Sequence, residues 1–257
     1  MKIDLSGRLA VVTGASGDLG RVMARTLARC GCDVVIHYHR NKTMALQLVK
    51  EIRILGRYAV ALQADVGDRK SVFGFRDNVL RQLRAPDILV NNAVIQYPWK
   101  PVLEQPVKDY EGQFRSSVLQ NVLMAQAFVP AMKKKSFGRV IAISTECAMM
   151  NFEGQSAYVS GKRGMDGVLR VLAREVGEHG ITVNQVAPGW TIGDKERKLG
   201  NRVSFKGRNA YASKVPLRRR GTDQEIANVV AFLASDLAGF ITGAYVPVCG
   251  GNVMPAI

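Results

Sequence analysis

A phenol and an amine four residues apart, Tyr158 and Lys162 in YVSGK, follow the hydroxyl of Thr145 in the apolar run VIAIST. Residues i and i+4 stack on one helix face, so the lysine reaches the space around the tyrosine hydroxyl. Together with a hydroxyl at a strand end, these are the parts needed to protonate a carbonyl oxygen while hydride arrives from a nicotinamide. An ammonium beside a phenol favours the phenolate, which predicts a Tyr158 pKa moved down from about 10 toward the working pH. The tyrosine–lysine spacing alone is also that of an ordinary helix surface. Its place between two apolar strands, downstream of a nucleotide signature, gives it weight.

That signature is LAVVTGASGDLG, a glycine-rich turn between the first strand and the first helix. Backbone amides there and the helix N-terminus can accept a diphosphate, which nominates Gly14, Ser16, Gly17, Asp18, Leu19 and Gly20. Beyond the third strand, Asp65 and Val66 are placed to meet an adenine ring. After the fourth, Asn92, Ala93 and Val94 form an edge suited to a ribose and nicotinamide.

The elements that must position these residues alternate regularly. Strands are predicted at 9–13, 34–38, 59–63, 87–91, 139–144, 181–187 and 244–248. Helices are predicted from the glycine-rich turn to about Cys30, then over 42–55, 69–83, 107–133, 156–178 and 223–235. Near-continuously apolar strands separated by helices indicate a doubly wound, seven-stranded parallel sheet covered on both faces, with ligands beyond the carboxyl ends of the strands. A chain of 257 residues with 47% apolar residues suits a single α/β domain over 1–257. From Trp190 to Lys214 the rhythm breaks, and seven Lys or Arg face two acids: Lys195, Arg197, Lys198, Arg202, Lys206, Arg208 and Lys214. A polar stretch of this length is expected to be a substrate lid, at about 190–215.

The formal net charge of +15 gives the surface an attraction for anions. The few aromatics are not interleaved with the basic residues, so specific nucleic-acid binding is not expected. Cys30, Cys32, Cys147 and Cys249 match neither a zinc framework nor a redox pair, and no metal is predicted. No run of about 18 apolar residues occurs, and KIDLSGRLAVV lacks a signal-peptide core, so a cytoplasmic protein off the membrane is expected.

Taken in order, TGASGDLG, ADVGD, NNA, IST, YxxxK, VAPG and FLASDLAGFITGAYVPVCGG resemble the short-chain dehydrogenase/reductase superfamily, from about Leu5 to Gly251. Within it the chain is most similar to 3-oxoacyl-(acyl-carrier-protein) reductase-like members. The resemblance implies a Rossmann fold, NAD(P) binding that extends to Pro188, Gly189 and Thr191, and a homotetramer or homodimer. NAD users of the family carry an acid at the end of the second strand, where it bonds the ribose 2′-hydroxyl. Here that strand runs into His39, Arg40 and Asn41 without an acid, and Arg40 suits a 2′-phosphate, which predicts NADP(H).

Five positions depart from the family pattern. Asp18 replaces a glycine of the turn and is expected to cap the first helix. Val94 stands where glycine is usual. The asparagine that holds a relay water falls on Ser117, with Asn121 one turn later. The family serine is Thr145, the preceding Ser144 pointing the other way, and Cys249 replaces an acid near a subunit contact. The resemblance makes Tyr158 the general acid/base, gives Lys162 the ribose as well, has Thr145 polarise the carbonyl and puts Ser117 in the relay. The expected activity is NADPH-dependent reduction of a 3-oxoacyl or similar ketone. The alternatives are NAD(P)-dependent oxidation of a sugar, sterol or other alcohol, and a nucleotide-binding pseudoenzyme, against which the retained tyrosine and lysine speak. Related enoyl reductases place the lysine further from the tyrosine. Gln96, Tyr97, Met149 and Trp190 are expected to shape substrate choice.

Overall fold

A computed structural model describes residues 2–193, 196 and 208–255. Seven strands form one parallel sheet: β1 Leu9–Val12, β2 Asp33–Tyr38, β3 Ala59–Gln63, β4 Ile88–Asn91, β5 Gly138–Ile143, β6 Ile181–Pro188 and β7 Tyr245–Val248. They lie in the order β3-β2-β1-β4-β5-β6-β7. The chain leaves β1 toward one edge and returns beside it at β4, Val12 pairing with Ile36 on one side and Val90 on the other. This reversal opens a crevice beyond the strand ends.

Alternation along the strands divides the core. Ala10, Val12, Val34, Ile36 and Ile141 meet α1 (Asp18–Arg29), α2 (Lys42–Ile54) and α9 (Asp223–Ala234). Leu9, Val11, Val35, Leu89 and Val140 meet α3 (Arg69–Gln82), α5 (Gln120–Lys135) and α7 (Ser156–Val176). Each fully buried branched side chain contributes about 1.5–3 kcal/mol, which explains why both faces of these short strands are apolar.

All seven predicted strands are present, with ends within about a residue of expectation. The helix expected over 107–133 is interrupted: α4 (Val107–Phe114) passes through a π-helical turn, Arg115–Leu119, into α5. Side-chain amides compensate the loosened turn, Gln120 donating to the Ser116 carbonyl and Asn121 to the Ser117 carbonyl, both at 2.7 Å. Two short helices were not anticipated: α6 (Cys147–Met150) and α8 (Arg208–Lys214). Of the basic lid residues, Lys195, Arg197, Lys198, Arg202 and Lys206 lie outside the described residues. Among the described residues no helix is long and apolar enough to cross a membrane.

Candidate active site

The glycine-rich turn leaves β1 at Thr13, whose hydroxyl accepts the amides of Asn92 and Ala93 at 2.8 and 3.0 Å and donates to Gln120 at 2.8 Å. This ties the ends of β1 and β4 to α5. Gly14 takes a left-handed φ of +62°, which glycine adopts without penalty. A β-carbon on Gly20 would lie 2.3 Å from the Gly14 carbonyl oxygen, so α1 can close onto the turn only through glycine. The first-turn amides of α1 have no partner within the helix and are the natural diphosphate donors.

Asp18 does not cap α1. The N-cap is Gly17, without a side-chain bond, and Asp18 is the first helical residue. Its carboxylate instead pairs with Arg21 at 3.1 Å, a residue spacing of three that turns it along the helix face.

A cleft of about 1300 Å³ runs along the carboxyl ends of the strands. Its walls include every sequence-predicted cofactor residue: Gly14, Ser16 to Gly20, His39 to Asn41, Asp65, Val66, Asn92 to Val94, Tyr158, Lys162, Pro188, Gly189 and Thr191. At one end Arg40 is exposed on the rim. Its neighbour Asn41 uses its side chain to cap α2, accepting the Met44 amide at 3.1 Å. Asp65 turns its carboxylate into its own loop, onto the Gly67 amide at 2.9 Å.

At the other end are Thr145, Tyr158 and Lys162. Ser144 and Thr145 point apart as an extended strand end requires: Ser144 donates to the Tyr245 hydroxyl at 3.0 Å, while the Thr145 hydroxyl, which accepts the Cys147 amide at 3.2 Å, lies near enough to Tyr158 to lower its pKa. Gln96 lines the cleft with Tyr158 and acts on the phenol in the same sense. Lys162 is buried, donates to the Ile143 carbonyl at 2.7 Å, and holds its nitrogen 5.9 Å from the Tyr158 ring centroid.

The expected downward shift of Tyr158 is not what this arrangement produces. Burial dominates and pushes the phenol up to about 12, with Thr145 and Gln96 offsetting part of the effect. Burial likewise brings Lys162 down to about 8, so its charge does not prevail over the desolvation of its neighbour. The phenol is therefore held as a proton donor. In carbonyl reduction, that is the form needed when negative charge develops on the substrate oxygen.

Ser117 is set back from this centre. It is fully buried, does not line the cleft, and accepts the Gln113 side-chain amide at 2.8 Å. Asn121 is committed to Ser117 and to Asn91, whose amide it accepts at 2.8 Å. Gln96, Tyr97 and Trp190 line the cleft and Met149 does not.

Three further groups were not read from the sequence. Glu146, buried directly after Thr145, accepts the Tyr211 hydroxyl of α8 at 2.7 Å and the Asn252 amide at 3.0 Å. The same Tyr211 oxygen accepts the Trp190 amide at 2.9 Å. Arg220 lies over the Trp190 ring at 4.7 Å and pairs with Glu196 at 2.7 Å. A lone acid or arginine in a loop carries no periodic signal. His37 lies inside β2, where no spacing marks it out.

A family model described as enoyl-(acyl carrier protein) reductase, a short-chain dehydrogenase/reductase model, matches residues 14–252. The chain belongs to the short-chain dehydrogenase/reductase superfamily. It is 37% identical over 254 residues to the 3-oxoacyl-[acyl-carrier-protein] reductase of Pseudomonas aeruginosa, covering 98% of this chain and 100% of that one. It is 38% identical over 255 residues to the Escherichia coli protein of that name, again covering 98% and 100%. Among solved structures, a 7α-hydroxysteroid dehydrogenase complexed with NADH and 7-oxoglycochenodeoxycholic acid superposes with a TM-score of 0.90 at 30% identity, covering 99% of this chain and 97% of that one. A putative gluconate dehydrogenase from Agrobacterium tumefaciens gives 0.91 at 27% identity and full coverage of both. This superfamily membership makes the chain an oxidoreductase acting on CH–OH groups and their carbonyl counterparts, with a nicotinamide dinucleotide as its cofactor.

Proposed function

We propose that this protein is an NADPH-dependent ketoreductase that converts a 3-oxoacyl or similar ketone into a secondary alcohol. The observation that carries the reading is the joint placement of Thr145, Tyr158 and Lys162 at the end of a cleft whose other end holds Arg40 and no acid after β2. The residues fit a dinucleotide: the Gly14–Gly20 approach leaves no room for side chains where the turn must meet a diphosphate.

The bound cofactor supplies the hydride that reduces the carbonyl carbon. Thr145 orients the substrate oxygen toward Tyr158, and Tyr158 gives that oxygen its proton, leaving a phenolate to be reprotonated from solvent. Lys162 is placed to bond the ribose and to carry the positive charge that stabilises the phenolate once it forms. Arg40 holds the 2′-phosphate. Ser117 accepts the Gln113 amide and does not open into the cleft, so its part in proton resupply is to fix Gln113 beside the site rather than to pass the proton itself.

The relatives named as acyl-carrier-protein reductases support the ketoreductase direction, as does a phenol held protonated. The dehydrogenase neighbours favour the reverse reaction on an alcohol as the second reading, since the same groups serve both directions. The basic surface suits an acidic carrier as substrate bearer. We further propose a cytoplasmic protein and a homo-oligomer, the latter supported by the exposed Phe232, Leu237 and Phe240, which precede the C-terminal strand. The test is to follow NADPH and NADH oxidation over a panel of 3-oxoacyl thioesters, simple ketones and sugars. Dinucleotide binding without turnover on any carbonyl or alcohol would overturn the enzymatic reading.

A further inference from the structure

His37 is a buried imidazole that the chemistry above leaves unused. It lies in β2 at 1% exposure, between the glycine-rich turn and the end of β3. Its Nδ1 accepts the Gly14 amide at 3.0 Å, and its Nε2 meets the Ala64 carbonyl at 3.0 Å. An amide N–H only donates and a carbonyl only accepts, so the tautomer is fixed: Nδ1 is bare and Nε2 carries the hydrogen. The backbone carbonyl of the same residue accepts the Ala15 amide at 3.0 Å. The first two amides of the turn therefore both end on His37. The Phe75 ring of α3 closes on the imidazole edge-on, 5.4 Å between centroids, and holds its plane.

We propose that His37 is a positioning residue for the dinucleotide. By tying Gly14 and Ala15 to β2 and, through Ala64, to the end of β3, it fixes the left-handed bend at Gly14 and with it the aim of the first-turn amides of α1 at the diphosphate. It does not touch the cofactor's reacting atoms and acts through the turn. The inference rests on the dinucleotide reading given above.

The arrangement also has a chemical limit. A second proton on Nδ1 would turn the acceptor of the Gly14 amide into a donor facing a donor. Burial is the main force against that proton and His39 adds to it, whereas the Ala64 carbonyl and the Asp65 carboxylate favour it. Phe75 and the first residues of the turn bring no charge to the ring. The imidazole is thereby held down to about 4, so the tie persists through the neutral range and is released only in acid.

The experiment measures NADP⁺ dissociation constants calorimetrically for the full chain, for His37→Val and for His37→Asn. At pH 7, His37→Val should weaken NADP⁺ by about tenfold or more, the loss of a buried hydrogen bond, with kcat at saturating NADPH changed by less than about threefold. His37→Asn offers an oxygen near the position of Nδ1 and should recover most of the affinity. Below pH 5 the unmutated protein should lose affinity relative to His37→Asn, about twofold where half the imidazole is charged and about tenfold one pH unit lower. The titration of the 2′-phosphate is common to both proteins and cancels in the ratio. Unchanged affinity in His37→Val, or loss in His37→Val that His37→Asn does not recover in the folded state, would overturn the positioning role. Absence of dinucleotide binding by the unmutated protein would overturn the functional reading and this inference together.

Discussion

Replacing Tyr158 by phenylalanine removes one oxygen from the cleft and leaves the ring. The unmutated phenol sits at about 12, two units above a free tyrosine, so its ionisation costs about 3 kcal/mol more than in water. At pH 7 about one molecule in 10⁵ is ionised, by the five-unit difference. The donor is thus loaded for reduction across the neutral range, and the oxidation direction, which needs the phenolate, starts with a handicap of that size. Tyr158→Phe should lower kcat for reduction by about 10²- to 10⁴-fold, or about 3–5 kcal/mol of transition-state stabilisation. NADPH affinity should be nearly unchanged. In the unmutated protein the reduction rate should not rise with pH between 6 and 8, whereas alcohol oxidation should climb toward about tenfold per unit. Above about 8, loss of the Lys162 charge should depress both. The sign for stability is separate. A folded-state tyrosine pKa raised from 10 to about 12 contributes stability that is present below 10 and lost as pH rises through 12, and Tyr158→Phe should lack that alkaline limb in denaturation midpoints. The assay is steady-state NADPH oxidation at saturating ketone, paired with fluorescence titration of the cofactor. Turnover within about fivefold of the unmutated protein, with binding retained, would refute the assignment.

Cofactor choice should respond to Arg40: NADPH binds more tightly than NADH, and Arg40→Ala narrows the gap by about 10- to 100-fold, the worth of a charged hydrogen bond, as read by paired titrations. Tyr211→Phe leaves Glu146 one donor short in a buried position and should cost about 1–3 kcal/mol of thermal stability; a bulky ketone should show a raised KM with little change in kcat, and an unchanged melting curve would show that the Glu146 bond is dispensable. The basic lid should make kcat/KM for an anionic carrier-linked substrate fall as the Debye length shrinks from about 30 Å at 0.01 M salt to about 8 Å at 0.15 M. A neutral ketone should not follow, and parallel salt profiles for the two would make the lid ordinary surface.

The middle of the sheet was legible because burial on both faces leaves apolar runs, LAVV in β1 and ILV in β4, that few other elements produce. The cleft was legible because glycine at Gly14 and Gly20 answers a steric demand, and because the Tyr158–Lys162 spacing is set by one helical turn. What failed was the sign of competing terms. Asp18 is a good capping residue in isolation, yet Gly17 takes the cap and Arg21 takes the carboxylate. Lys162 favours a phenolate in isolation, yet the enclosure that brings it close desolvates Tyr158 more strongly. Composition does not report enclosure. His37 and Glu146 were passed over for a related reason: their partners, Gly14, Ala64, Tyr211 and Asn252, meet them only through tertiary folding.

The π-helical turn at Arg115–Leu119 sets a phase. One residue beyond the α-helical count sets everything after it back by about 100° from where a continuous α-helix would put it. Ahead of it, α4 packs on α7; behind it, Leu123, Met124, Phe128 and Met132 face the sheet. A single uninterrupted helix of the same sequence could not present both stripes in those directions. A one-residue deletion within this turn should therefore close it into an ordinary α-helical turn and leave both stripes facing as they do, whereas a one-residue deletion further along α5 would act like a wrongly indexed gear, turning every later apolar side chain off the core by about 100°. An insertion and a deletion placed a few residues apart on either side of Ser117 should restore the register of both helices while misdirecting only the residues between them. This gives a way to move Ser117 and Gln113 without disturbing the packing around them.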